Sequence, residues 1–274
     1  MSSYLTKNGV PILILGLAYF TAGRLGTFLA IPPGYASAVF PASGIALAAL
    51  LWRDYGLWPG ILLGSFCMNL WISIANNPDF TFVRFLPVGI SIGLGASGSA
   101  LLGAWLLKRV SGSNKPLDGT VNVFAFIVLS AMLASMVSAT VGVSALSAGS
   151  FSTWNAFWES WYTWWFGDMM GILIFAPLPL VRFHTPRRMD FLRVLEIVFL
   201  LFLAVAGIKI IFGSGFGTLS YPLVFLPFPF LVWVVFRFGQ VGAVTGLCLV
   251  SILTVLETVN GRGPFADHRT QSES

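Results

Sequence analysis

Long apolar runs, separated by short polar or Gly- and Pro-containing breaks, make up most of the chain. A helix that crosses a bilayer needs roughly 20 mostly apolar residues. Nine runs approach or reach that length, near residues 10–30, 35–52, 56–76, 82–107, 120–148, 154–181, 192–212, 219–236 and 240–259. Prolines interrupt the second and eighth runs, so broken or re-entrant helices are the alternative there. The pattern predicts an all-α, polytopic membrane bundle of about eight or nine transmembrane helices.

Composition supports a membrane protein and argues against other classes. Of the 274 residues, 57% are hydrophobic and 9% are charged, whereas soluble domains carry about 25% charged residues. The apolar runs lack the strand-like alternation of a membrane β-barrel. The net charge of +5 is scattered between these runs and forms no basic stripe, so no nucleic-acid partner is expected. The lipid bilayer is the expected surrounding.

Lys and Arg collect in alternate loops, which predicts the orientation of the chain. Short loops rich in these residues stay in the cytoplasm, and we therefore expect a cytoplasmic N-terminus. Ten of the 15 basic residues then fall on the cytoplasmic side: Lys7, Arg53, Lys108, Arg109, Lys115, Arg182, Arg187, Arg188, Arg193 and Arg237. A cleaved signal peptide is the alternative for the first run, but its length, the internal Arg24 and the following Pro32-Pro33 favour a retained helix.

Small residues recur every four positions in the fourth and fifth runs. The two stripes are Ser91, Gly95, Ser99 and Gly103, and Ser130, Ala134, Ser138 and Gly142. Such stripes let helix backbones approach closely in lipid. We expect them to pack within the chain, with a homodimer face as the alternative.

Charged residues inside membrane spans are costly and mark candidate functional sites. The predicted topology puts six of them towards the non-cytoplasmic side: Arg24, Arg84, Glu159, Asp168, Lys209 and Glu257. This arrangement predicts a polar pocket that opens outward, with snorkelling to the headgroups as the alternative for residues at span ends. Arg24 and Asp168 lie deepest. We expect them to form an ion pair, because a lone buried charge is strongly unfavourable.

The sixth run places an aromatic face beside a carboxylate. At helical spacing Trp161, Trp164, Trp165 and Asp168 share one face. Such a face can hold a small-molecule ligand by stacking or cation–π contact with the acid as anchor, or it can be a helix–helix seam. The bend at Pro41, the Ser43 hydroxyl and the Asn69 amide can line the same cavity. The candidate ligand-binding residues are Arg24, Pro41, Ser43, Asn69, Trp161, Trp164, Trp165 and Asp168.

Residues that would support catalysis are missing from the sequence. There is no nucleophile with a base and an orienting group, no phosphate-binding loop and no HExxH motif. The two histidines, His184 and His268, lie in a loop and in the C-terminal tail without a second metal ligand nearby. We expect no enzymatic activity, no metal site and no cofactor.

Four separated motifs point to a family. They are Phe40–Leu50 (FPASGIALAAL), Trp58–Gly64 (WPGILLG) with Asn69, Thr163–Leu173 (TWWFGDMMGIL), and Tyr221–Leu223 (YPL) followed by Arg237–Gly239 (RFG). In this order they resemble the MASE1 family of bacterial membrane-associated sensor domains, over about residues 10–265.

The resemblance implies an integral module of the bacterial inner (plasma) membrane that detects a ligand or a membrane-linked signal. Such modules usually precede a cytoplasmic histidine kinase or diguanylate cyclase domain, which would be the output partner. A transporter or channel for a small organic solute is the alternative.

Residues 1–260 would form this sensor domain, and residues 261–274 a polar tail. Nine spans place the tail outside the cytoplasm, so we expect a further span or an output domain beyond residue 274. If one Pro-rich segment is re-entrant, the tail lies inside instead.

Overall fold

The computed structural model describes residues 2–27, 39–76, 80–112, 116–181, 191–212 and 227–259, and every regular element in these ranges is helical. The helices are α1 (Ser2–Thr27), α2 (Pro41–Trp52), α3 (Trp58–Asn76), α4 (Phe82–Ser111), α5 (Thr120–Ala148), α6 (Phe157–Phe175), α7 (Phe191–Phe212) and α8 (Pro227–Val259). Short turns at Tyr55–Leu57 and Trp154–Ala156 lead into α3 and α6, and Pro177–Leu180 follows α6. The all-α prediction is confirmed.

Six described segments are long and apolar enough to cross a membrane: Asn8–Thr27, Tyr55–Asn76, Phe82–Ser111, Thr120–Ala148, Trp154–Leu180 and Phe230–Glu257. Pro41–Trp52 and Val198–Ile210 are apolar but shorter. Large apolar side chains such as Leu13, Leu17 and Leu94 are at least half exposed, as on a surface that faces lipid rather than water. The chain is therefore a multi-pass membrane protein, and the count of eight or nine spans stays a prediction.

One predicted interruption differs from the helices observed, and one predicted break agrees with them. Pro41 does not interrupt a helix; it occupies the first turn of α2, where its missing N–H group leaves no hydrogen bond unmade. The eighth and ninth runs overlap α8, which Gly239, with non-helical φ 63° and ψ −150°, divides into two helical stretches near the predicted break between residues 236 and 240. This backbone conformation is open to glycine and strained for other residues. The predicted boundary at residue 260 and the tail lie outside the described residues.

The chain forms two compact units, Met1–Leu180 and Val181–Ser274. In the first unit, α2 contacts α1, α4 and α6, while α5 packs on α4 and α6. The side chains of Ala42, Leu47 and Leu50 on α2 are at most 1% exposed. A short helix with three neighbouring helices is well placed to respond to movement of any of them.

The small residues of α4 and α5 bring these helices together. The Ser130 hydroxyl donates to the Gly103 carbonyl oxygen at 2.9 Å. A Cβ atom at Gly95 would lie 2.9 Å from Val141 Cβ, so a larger residue there would push the backbones apart. The prediction of packing within the chain is confirmed, and the homodimer face stays untested.

The second unit contains α7 and α8, which are joined by two ion pairs. Arg237 Nε lies 2.7 Å from Glu196 Oε1, and the Lys209 ammonium pairs with the Glu257 carboxylate near the far ends of the two helices. An apolar cavity of about 420 Å³ lies between α7 and α8, lined by Leu200, Leu201, Phe230, Val234 and their neighbours.

Candidate functional site

The first turn of α2 is fixed against the middle of α6. The Phe40 N–H group donates to the Gly167 carbonyl oxygen at 3.0 Å. Close approach requires glycine on both helices, because a Cβ at Gly171 would lie 1.9 Å from the Phe40 oxygen and one at Gly44 would lie 2.3 Å from the Gly171 oxygen. The two backbones are therefore in direct contact, with no space to absorb a movement of one against the other.

Asp168 lies at this junction and is only 3% exposed. The hydroxyl of Ser138 on α5 and the indole N–H of Trp164 act as hydrogen-bond donors to its carboxylate. Tyr19 of α1, also 3% exposed, is close enough to interact with Asp168 electrostatically and contacts the Ser65 hydroxyl of α3. A single carboxylate thus faces three neighbouring elements with neutral polar groups around it.

A small cavity lies beside Asp168. Its volume is about 10 Å³, close to the minimum that one water molecule occupies. The lining residues that carry side-chain oxygens are Tyr19, Ser43, Ser99, Ser138 and Asp168, and the remainder are Ala46, Ala96, Ala100 and Ile172. In this state the cavity has room for one atom-sized occupant and not for an organic ligand.

Ser43 connects α2 to the same place. Its hydroxyl oxygen lies 2.8 Å from the Phe40 carbonyl oxygen and 3.0 Å from the Asp168 carbonyl oxygen. Ser43 and Asp168 thus line the same cavity, and a role of either residue in ligand binding stays a prediction. Pro41, at the start of α2, lies close by in the chain and does not line the cavity.

The predicted ion pair between Arg24 and Asp168 is wrong. The Arg24 guanidinium lies 5.3 Å from the centre of the Trp71 ring, and its NH1 atom lies 3.5 Å from Thr27 Oγ1. The reason is helical rotation: Tyr19 is the α1 residue that faces Asp168, and a residue five positions later is turned about 140° away. Within the described ranges, no Lys or Arg forms an ion pair with Asp168.

The other charged residues of the first unit, Arg84 and Glu159, do not line the small cavity. Arg84 Nε donates to the Gly149 carbonyl oxygen at 3.1 Å. The negative end of the α5 helix dipole, at its C-terminus, stabilises the positive charge there. Glu159 is exposed, and Lys209 and Glu257 pair with each other in the second unit. Of the six charged residues, Asp168 is the one that lines the small cavity.

The three tryptophans of the predicted aromatic face all contact α5. Trp161 Nε1 lies 3.0 Å from Thr140 Oγ1, and Trp165 Nε1 lies 2.9 Å from the Met132 carbonyl oxygen. The Trp164 ring covers Gly142, where a Cβ would lie 2.8 Å from Trp164 Cζ2. The face forms a helix–helix seam, which was one of the two interpretations of its sequence. Ligand binding by these indoles stays a prediction.

Met132 belongs to a π-helical segment of α5, Phe126–Leu133. A π-helical turn shifts the backbone hydrogen-bond pattern and is frequent at functional sites. Here the Met132 carbonyl oxygen accepts from Trp165 on α6 and from the Ser135 hydroxyl at 3.0 Å. The irregular segment of α5 is therefore held to α6 at Trp165, less than one turn before Asp168.

Asn69 does not line the small cavity and is connected to Tyr19 through Ser65. Its Nδ2 atom donates to the Ser65 carbonyl oxygen of its own helix at 2.9 Å, and the Ser65 hydroxyl contacts Tyr19. The structure thus brings Ser43 and Asp168 together with Trp164 beside them. It leaves Arg24, Asn69, Trp161 and Trp165 outside the cavity lining.

Three cavity residues had not been predicted as site residues. Ser99 and Ser138 belong to the small-residue stripes, where a hydroxyl on a packing face is the signal that could have identified them. Tyr19 is 3% exposed, and its sequence neighbours give no sign that its hydroxyl turns inward.

The family of the chain follows from a comparison with known families. The MASE1 family model matches residues 11–274, which is nearly the whole chain. The protein is thus a membrane-associated sensor domain, and it belongs to the MASE1 family. No curated protein and no solved structure matches the chain.

Proposed function

We propose that this chain is a sensory module of the bacterial inner membrane that detects a small ligand or a membrane-linked signal and passes it to a cytoplasmic output. A histidine kinase or diguanylate cyclase domain is the output partner we propose. The observation that carries the proposal is Asp168, a buried carboxylate placed where α6 meets α1, α2 and α5. Buried ionisable groups in membrane helices are functional by default.

The mechanism is a shift between two packings of the helices around Asp168. Hydrogen bonds to a charged carboxylate are stronger than those to a neutral one, so a change of charge at Asp168 alters how firmly Ser138 holds α5 to α6. The tight contact of Gly44 with Gly171 passes a movement of α6 to α2. A signal shifts the equilibrium only by its differential affinity for the two packings.

A cytoplasmic N-terminus and eight or nine spans belong to the same proposal. Lys108 Nζ donates to the Leu50 carbonyl oxygen at 3.0 Å, so the C-terminal ends of α2 and α4 lie together. Both ends carry basic residues, namely Arg53, Lys108 and Arg109, as expected for a cytoplasmic surface.

A reporter fusion tests the proposal. The chain is joined through one added transmembrane helix to a cytoplasmic diguanylate cyclase, and cyclic di-GMP is measured in cells. We expect Asp168→Asn to fix the output at one level. Glu159→Gln is the matched control, because Glu159 is an exposed carboxylate on the same helix, and its output should still respond as the wild type does.

Two results would count against the sensor proposal. Asp168→Asn could give the same output and the same response as the wild type at equal expression, which would place the sensing event elsewhere. Alternatively, proteoliposomes containing the purified protein could show solute flux that Asp168→Asn abolishes, which would identify a transporter.

A further inference from the structure

Oxygen atoms from five different helices meet at the small cavity. The side chains that supply them are Tyr19 of α1, Ser43 of α2, Ser99 of α4, Ser138 of α5 and Asp168 of α6. Carboxylate and hydroxyl oxygens are hard donors, the kind that hard cations prefer. Such a set differs from a packing seam, because each member comes from a separate helix and all of them border the same atom-sized space.

Among the residues that the structure describes, no basic side chain pairs with Asp168. Asp168 is 3% exposed, and the groups that hydrogen-bond to its carboxylate, Ser138 and Trp164, are neutral. The two ion pairs within the described ranges, Lys209–Glu257 and Arg237–Glu196, lie in the other unit. A lone charged carboxylate inside a membrane protein is strongly unfavourable, so it takes up either a proton or another cation.

Two of the hydroxyls have capacity for a further partner. The Ser43 hydroxyl donates its hydrogen bond to the carbonyl oxygens of Phe40 and Asp168, so the lone pairs of its oxygen stay available to a further partner. The Ser99 side chain is buried, at 6% exposure, and within the described part of the chain no hydrogen bond ties it to another residue. Both oxygens border the cavity next to the carboxylate.

We propose that the cavity at Asp168 binds one Na⁺ ion. A monovalent cation gives the site a net charge of zero, whereas a divalent cation would leave a buried positive charge. The volume of about 10 Å³ accommodates one small ion. A proton would need only the carboxylate, whereas a metal ion needs several oxygen ligands, and the surrounding side chains supply them. The proposal rests on the same site as the proposed function, since Na⁺ would be the ligand whose occupancy shifts the helices.

Binding can be measured apart from signalling. The purified protein in detergent is titrated with NaCl at fixed pH, with choline chloride keeping the ionic strength constant, while tryptophan fluorescence and the apparent Tm are recorded. Trp164 contacts the carboxylate and should report occupancy. We expect a saturable fluorescence change and a rise in Tm, because a ligand that binds only the folded state stabilises it.

Variants separate this site from other effects of salt. Asp168→Asn should abolish the Na⁺ response, and Ser99→Ala should weaken the apparent affinity by about tenfold or more. Ser91→Ala is the matched control, because Ser91 lies on the same helix, is not buried and bonds the Pro87 carbonyl oxygen at 2.8 Å. Its response should equal that of the wild type.

The outcomes distinguish this proposal from the sensor proposal. An equal response to added choline chloride, or a Na⁺ response that survives both Asp168→Asn and Ser99→Ala, would overturn the Na⁺ site. A response to pH alone, lost in Asp168→Asn, would assign a proton to the carboxylate and likewise overturn it, while the sensor proposal would stand. Uptake of ²²Na⁺ into proteoliposomes would support the site and overturn the sensor proposal.

Discussion

At the residue scale, a few close contacts position Asp168. Gly171 lets the Phe40 backbone reach α6, and Phe40 in turn anchors the turn that carries Ser43. Ser138 and Trp164 then hold the carboxylate itself. Because these contacts leave little free volume, small changes of side-chain size next to Asp168 should be felt in both stability and function.

Gly171→Ala should destabilise the protein. The added methyl group would lie 1.9 Å from the Phe40 oxygen, so α2 must move away from α6, at a cost of about 1–3 kcal/mol. The measurement is the apparent Tm in detergent. Gly98→Ala is the control, because its Cβ would approach no atom closer than 3.9 Å. Equal Tm values for the two variants would contradict the close contact.

Trp165→Phe should weaken the attachment of α6 to the π-helical segment of α5. It removes the N–H donor that lies 2.9 Å from the Met132 oxygen, a loss of about 1 kcal/mol. Trp158→Phe serves as the control, since Trp158 is 64% exposed on the same helix. Thermal unfolding should show a larger decrease for Trp165→Phe, and a decrease of the same size in both variants would contradict this role.

The sequence predicted that Asp168 is buried but not which residues surround it. A carboxylate deep in an apolar run is conspicuous because of its cost in lipid. Its partners depend on helix rotation, and the sequence pattern did not define the rotation of α1 relative to α6. For that reason the sequence does not identify Tyr19 as a neighbour of Asp168 and indicates Arg24 instead. Trp161, Trp164 and Trp165 were correctly placed on one face, because helical spacing alone determines that relation.

At the element scale, hydropathy located the helices and one of their two irregularities. Apolar length identifies a span, and every predicted run overlaps a described helix. The break between the eighth and ninth runs matches the kink at Gly239, whereas the π-helical segment Phe126–Leu133 is a matter of backbone geometry. Apolar length and hydropathy carry little information about such geometry.

Gly239→Ala tests the bend in α8. Its φ of 63° and ψ of −150° are strained for any residue with a Cβ atom, so the substitution should cost about 1–3 kcal/mol. Gly246→Ala is the matched control in the same helix, because its Cβ would make ordinary contacts at 3.4 Å or more. Gly246→Ala should leave the apparent Tm nearly unchanged. A Gly239→Ala variant as stable as the wild type would contradict the bend.

At the scale of the whole molecule, contacts between helix ends agree with the predicted alternation of loops. Lys108 joins the C-terminal ends of α4 and α2, while Arg84 joins the beginning of α4 to the end of α5. The two ends of α4 thus belong to opposite faces of the first unit. The distribution of Lys and Arg predicts that the end with Lys108 is cytoplasmic.

Cysteine accessibility tests this orientation. In a background without Cys67 and Cys248, Thr153→Cys should react with a membrane-impermeant thiol reagent in intact cells, whereas Thr120→Cys should react only after lysis. Both threonines are exposed; Thr120 begins α5, and Thr153 lies in the connection that follows its other end. The reverse pattern of labelling would overturn the cytoplasmic N-terminus.

Asp168 in its charged form holds α5 to α6 through Ser138, and a distance measurement tests this mechanism most directly. Spin labels at Thr120, the first residue of α5, and at Pro179, just after α6, report this packing by double electron–electron resonance. Both positions are exposed. A second label pair at Leu63 and Leu94 reports α3 against α4 as a control, with side chains 44% and 50% exposed.

We predict that Asp168→Asn changes the distance distribution between positions 120 and 179 and leaves that between positions 63 and 94 unchanged. The reason is that the Asn side chain lacks the charge that strengthens the Ser138 hydrogen bond between α5 and α6, whereas the contact of α3 with α4 does not involve Asp168. If Asp168→Asn and the wild type gave superimposable distributions for both pairs, Asp168 would not control the packing of α5 on α6, and the proposed mechanism would be contradicted.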